Sequence, residues 1–107
     1  MKVKELRETV DVCRMLADQT RASIVAMLSK GSESVGTLCR ELKLPQPTTS
    51  HHLALLRMSG LVQRMRKGRQ MFYTLNRDML TPVKQFLAIR LGEKKPRTRS
   101  TGPKKEA

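Results

Sequence analysis

The stretch Gln46–Leu75 reads Q-P-T-T-S-H-H-L-A-L-L-R-M-S-G-L-V-Q-R-M-R-K-G-R-Q-M-F-Y-T-L. Pro47 fits the first turn of a helix, where its missing N–H leaves nothing unpaired. Leu53 and Leu56 recur at a helical spacing, so a helix is predicted over about Gln46–Met58. Gly60 ends it. Leu61–Arg66 and Arg69–Leu75 then read as strands rich in Val, Leu, Phe and Tyr. Lys67-Gly68 sits where a tight hairpin turn belongs, the Gly supplying a positive φ. A polar-headed helix followed by a basic hairpin suits a DNA major groove and its flanking phosphates.

Upstream, Val3, Leu6, Val10, Cys13 and Ala17 form an apolar stripe on a first helix over about residues 3–17. Asp18 can cap a second helix carrying Arg21, Ile24, Met27 and Leu28, stopped by Gly31. Ser34 can cap a short third helix with Val35, Leu38 and Leu42. Lys43-Leu44-Pro45 makes the turn into the helix at Gln46. Thr81-Pro82 reads as N-cap and first position of a last helix to about Leu91, with a stripe of Val83, Phe86, Leu87 and Leu91. The fold class is therefore mainly α with a β-hairpin wing. Its order is α-α-α-α-β-β-α, a winged helix-turn-helix occupying residues 1–91. A basic tail expected to be disordered, residues 92–107, follows. The terminal helices can cover each other or pair with a second copy. The expectation is a homodimer through the first and last helices, because DNA sites are commonly read by two-fold dimers.

The net charge is +13 over 107 residues. Residues 93–107 carry +4 of it, which leaves +9 on residues 1–92. From Leu42 through Arg77 there is no Asp or Glu, and seven cations: Lys43, Arg57, Arg64, Arg66, Lys67, Arg69 and Arg77. Such a block favours a polyanion. Two Cys without a secretory leader point to a reducing cytoplasm. No apolar run approaches the roughly 18 residues of a bilayer span, so no membrane partner is expected. No catalytic set is visible: there is no G-x-S-x-G, no phosphate-cradling Gly loop and no carboxylate pair near the polar cluster. Neither an enzyme with a small-molecule substrate nor a cofactor is implied.

The runs Thr20–Leu28 (T-R-A-S-I-V-A-M-L), Leu38–Leu42 (L-C-R-E-L), Thr49–Val62 (T-S-H-H-L-A-L-L-R-M-S-G-L-V) and Arg66–Leu75 (R-K-G-R-Q-M-F-Y-T-L) resemble the ArsR/SmtB family. The match covers roughly residues 5–91. The resemblance implies a cytoplasmic, dimeric, autoregulatory repressor released from DNA by a metal, metalloid or oxidant. The sensory half does not match. Ser34 and Gly36 stand where arsenic-type members place a thiolate pair. The last helix, Thr81–Leu91, contains no His, Cys, Asp or Glu for the zinc or nickel type. Zinc needs about four N, S or O ligands, so no metal site is expected.

Gln46, Thr48, Thr49, Ser50 and His51 are the candidate base or phosphate contacts of the recognition helix. The plainer reading is helix capping by Thr48 or Ser50. His52 is expected to pack or bond locally. Arg66, Lys67 and Arg69 are the candidate wing contacts to phosphates or the minor groove; the plainer reading is a solvated hairpin. Cys13 and Cys39 are the residues open to redox chemistry, against a plainer reading as small buried hydrophobes. Two other readings stay open. One is a ligand-independent architectural or antitoxin-like DNA binder. The other is a basic RNA-associated module, which would need exposed stacking aromatics.

Overall fold

A computed structural model describes residues 2–93. The helices are α1 (Val3–Leu16), α2 (Gln19–Leu28), α3 (Val35–Leu42), α4 (Gln46–Met58) and α5 (Thr81–Arg90). The strands are β1 (Glu33–Ser34), β2 (Val62–Lys67) and β3 (Gln70–Leu75), and a 3-10 turn spans Arg77–Leu80. All three strands are antiparallel neighbours in the order β1-β3-β2.

The local signals act largely as their chemistry dictates. The Asp18 carboxylate accepts from the Arg21 N–H at 3.0 Å and so caps α2. Ser34 Oγ accepts from Thr37 N–H at 3.2 Å and caps α3. Lys43 ends α3 in the left-handed conformation, φ 57° and ψ 48°. Gly60 takes φ +88° after α4, and Asn76 closes the base of the hairpin by donating from Nδ2 to Gly60 O at 3.1 Å.

The core lies between α2, α3, α4 and the sheet. Ile24, Leu38, Leu53, Leu56 and Leu61 are fully buried, with Val12, Leu28, Val62, Tyr73 and Leu75 beside them. Two leucines of α4 therefore anchor the helix that carries the polar cluster.

Several expectations change. The hairpin turn is Gly68-Arg69, one residue later than Lys67-Gly68, because Lys67 still pairs with Gln70. Gly68 takes φ +62° and Arg69 does not take a positive φ, the pattern of a type II′ turn. The strand β1 was not foreseen. Thr81 does not cap α5; Leu80 occupies the cap position without a side-chain bond, and Pro82 sits in the first turn.

The first helix turns a face other than its apolar stripe to the core. Thr9 and Val12 turn to the core, with Met15 and Leu16 partly buried against it. The Val3, Leu6, Val10 and Cys13 stripe points outward and is exposed. Helices α1 and α5 do pack on each other within the protomer. Together they still leave Val3, Leu6, Val10, Leu87, Ile89 and Leu91 between 41% and 73% exposed. Of the expected tail, residues from 94 onward lie outside the described residues.

Candidate nucleic-acid interface

The interface is built on two supports, α4 and the β2–β3 hairpin. Helix α4 begins at Pro45 with no side-chain cap, so neither Thr48 nor Ser50 caps it. Gln46, Ser50 and His51 are exposed on the outer face of its first two turns, and Thr48 is half-buried beside them. Thr49 is a correction. It is 0% exposed, and its hydroxyl donates to Pro45 O at 3.1 Å. It faces the core one turn above Leu53 and leaves the contact set. His52 also turns inward. Its side chain is 17% exposed and its Nδ1 lies 3.8 Å from Asp18 Oδ2. The His51 and His52 rings meet edge to face, with centroids 5.4 Å apart.

In the wing, Gln63 through Gln70 are all exposed. The ladder pairs Arg64 with Tyr73, Arg66 with Met71 and Lys67 with Gln70. Side chains alternate across a strand, so Arg64 and Arg66 share one face and Lys67 lies on the other. Lys67 Nζ stands 5.8 Å from the centroid of the Phe72 ring. Arg69 occupies the turn itself. No wing cation forms an ion pair with a described residue; the only pairs among those residues are Asp11–Arg14 and Asp18–His52. Exposed cations with no ion-pair partner among the described residues can neutralise phosphates.

Between the two supports runs an open cleft of about 480 Å³, lined among others by Ser34, Gly36, Thr37, Arg40, Gln46 and Gln70. Arg40 is exposed and donates to Thr37 Oγ1 at 3.2 Å. It was missed because it precedes the acid-free block by two residues, with Glu41 between; only the turn through Lys43 brings it beside Gln46.

Cys39 is half-buried and Cys13 exposed, and both are free thiols. Among the described residues, no group of three or more His, Cys, Asp or Glu could hold a metal ion. No described helix is long and apolar enough to cross a membrane.

Residues 18–64 match the family described as bacterial regulatory protein, arsR family. The transcriptional activator HlyU of Vibrio cholerae is 37% identical over 86 residues, covering 80% of this chain and 77% of HlyU. The chain belongs to the ArsR family. As a member it is a DNA-binding transcriptional regulator with a winged helix-turn-helix. A solved structure of HlyU from the same organism superposes with a TM-score of 0.71 at 30% identity, covering 86% of this chain and all of that one. The HTH-type transcriptional regulator KmtR of Mycobacterium tuberculosis is 42% identical over 69 residues; the match takes in 64% of this chain and about half, 53%, of KmtR. The winged helix-turn-helix domain of Mb0332 from Mycobacterium bovis is described as homodimeric and DNA-binding. It gives a TM-score of 0.65 at 26% identity, over 80% of this chain and 82% of that one. Other relatives are named repressors.

Proposed function

We propose that the chain is a homodimeric, sequence-specific repressor acting in the cytoplasm, without catalysis. The observation that carries this reading is the pairing of an exposed polar helix start, Gln46, Ser50 and His51, with the cations Arg66, Lys67 and Arg69 on the adjacent hairpin, which have no ion pair among the described residues. Helix α4 enters a major groove and reads base edges with those polar side chains. Two backbone N–H groups at its start, Gln46 and Thr48, face no helical acceptor and favour a phosphate. The wing follows the backbone or the adjoining minor groove.

Dimerisation is supported by the outward stripe. Val3, Leu6 and Val10 of α1 and Leu87, Ile89 and Leu91 around α5 are large apolar side chains gathered on the terminal helices, the kind of patch that marks an association surface. A homodimeric relative of the same fold supports it further. An RNA-binding module is disfavoured because Tyr73 is buried and Phe72 half-buried, so no stacking platform is on offer.

The test is selection of duplexes from a randomised pool by the full chain, followed by sedimentation of the free protein and of its complex. An inverted repeat bound by two protomers is expected. Enrichment of no sequence, or a monomer on a single half-site, would defeat the reading. Leu87→Glu, on the exposed stripe of α5, should give a folded monomer that binds the selected duplex weakly.

A further inference from the structure

The Arg21 side chain is partly buried and makes three hydrogen bonds, none to its own helix. Its Nε donates to Met15 O at 2.9 Å and its Nη2 to Arg14 O at 3.4 Å, both carbonyls of the last turn of α1. Its Nη1 lies 3.4 Å from Nδ1 of His52 on α4. Its own backbone N–H is held by Asp18. One guanidinium thus ties the end of the outward-striped helix to the helix that carries the polar cluster.

The same Nδ1 lies 3.8 Å from Asp18 Oδ2, so the His52 ring is held between a donor-only guanidinium and an acceptor carboxylate. His52 in turn lies edge-on to the exposed His51 ring. A chain of contacts therefore runs from the α1 carbonyls through Arg21 and His52 to a side chain at the candidate DNA face.

We propose that Arg21 is a positioning residue for DNA recognition: it sets the angle of α4 relative to α1 through His52, so that operator affinity depends on how α1 sits against α4. This rests on the DNA reading above and adds a regulatory joint to it. Neither residue touches DNA. His52 is mostly enclosed, and Arg21 is spent on α1 and His52. A joint of this kind acts on sequence reading more than on total charge attraction. Base contacts require the helix at one depth and angle, whereas phosphate attraction tolerates small rotations.

The experiment uses the full chain, the duplex it selects from a random pool, and a scrambled duplex of equal length. Arg21→Met is expected to weaken the selected duplex about tenfold, within the range for coupled neighbours, and the scrambled duplex far less. His52→Leu, made from the other side of the contact, should also weaken the selected duplex more than the scrambled one. The double variant should lose less than the sum of the two single losses, because both remove the Arg21–His52 contact. Ring ¹⁵N shifts of His52 should move between the wild type and Arg21→Met, because the ring loses the guanidinium 3.4 Å from its Nδ1. That signature would not change if Arg21 merely stabilised the fold. A selected duplex bound equally by wild type and Arg21→Met, additive losses, or His52 ring shifts unchanged in Arg21→Met would overturn the inference. A wild type that selects no sequence would overturn the DNA reading along with it.

Discussion

Removing the charge at the wing tip should change how DNA affinity responds to salt. Six exposed cations of the acid-free stretch, Lys43, Arg57, Arg64, Arg66, Lys67 and Arg69, have no ion pair with a described residue. Arg77 is set apart because its guanidinium donates to Ser29 O at 2.7 Å. A dimer doubles the set. If half of it reaches phosphates, about six counterions leave per complex, and log K falls against log salt with a slope of about −5. Raising salt from about 50 to about 200 mM should then weaken binding about 10³-fold. Arg69→Ala removes two such contacts per dimer and should flatten the slope by about 2. Lys30→Ala is the matched control. Lys30 lies beyond α2, beside a cleft it shares with Glu33 and Glu41, and its loss should leave the slope alone. The assay is fluorescence anisotropy on the selected duplex across a salt series. Equal slopes for wild type and Arg69→Ala, or an equal change in Lys30→Ala, would show that net charge and not wing contact drives binding.

Gln46→Ala or Ser50→Ala should cost about 1–3 kcal/mol on the selected duplex and little on random DNA; equal losses on both would assign these residues to phosphates. Leu53→Ala, at a fully buried position on α4, should lower stability by about 2–5 kcal/mol in urea unfolding, and a smaller loss would mean that α4 is held elsewhere. The Arg21 N–H bond holds the Asp18 carboxyl below its ordinary value of 3.8. Its contribution is therefore present above that value and lost as pH falls through the lowered one. Acid-unfolding curves of Asp18→Asn should lack that component while differing little in shape near neutrality. Zinc, nickel and cadmium at stoichiometric levels should leave DNA affinity unchanged, since no described group of ligands gathers; tight one-per-protomer binding in calorimetry that releases DNA would contradict this.

The features legible in the sequence are those set by neighbours along the chain. Asp18 and Ser34 reach amides three residues on, and Leu53 and Leu56 share a helix face, so spacing alone reveals them. The misses depend on distant partners. Glu33–Ser34 becomes a strand only because Phe72 and Tyr73 lie alongside. Arg40 joins the cleft only through the turn at Lys43. Thr49 looked like its polar neighbours, yet the helix phase that buries Leu53 also buries the residue four before it. The stripe of α1 points outward, as a helix paired with a second copy would hold it, but the core face made by Thr9 and Val12 was not foreseen, and Cys13 went outward with the stripe instead of being buried.

The ladder along the hairpin is uneven. Strand β1 backs β3 only at Phe72 and Tyr73, while Arg66, Lys67, Gln70 and Met71 belong to a bare two-strand ribbon ending at Gly68-Arg69. Three-stranded sheet resists torsion more than a ribbon does. The wing is thus a cantilever: clamped where Ser34 also begins α3, compliant over its outer residues. A compliant arm tipped with arginine settles deepest where a groove is narrow and its potential most negative. On the proposed docking, the wing would weigh the shape of DNA outside the bases that α4 reads, and two operators with identical core sequences would not be equal to it.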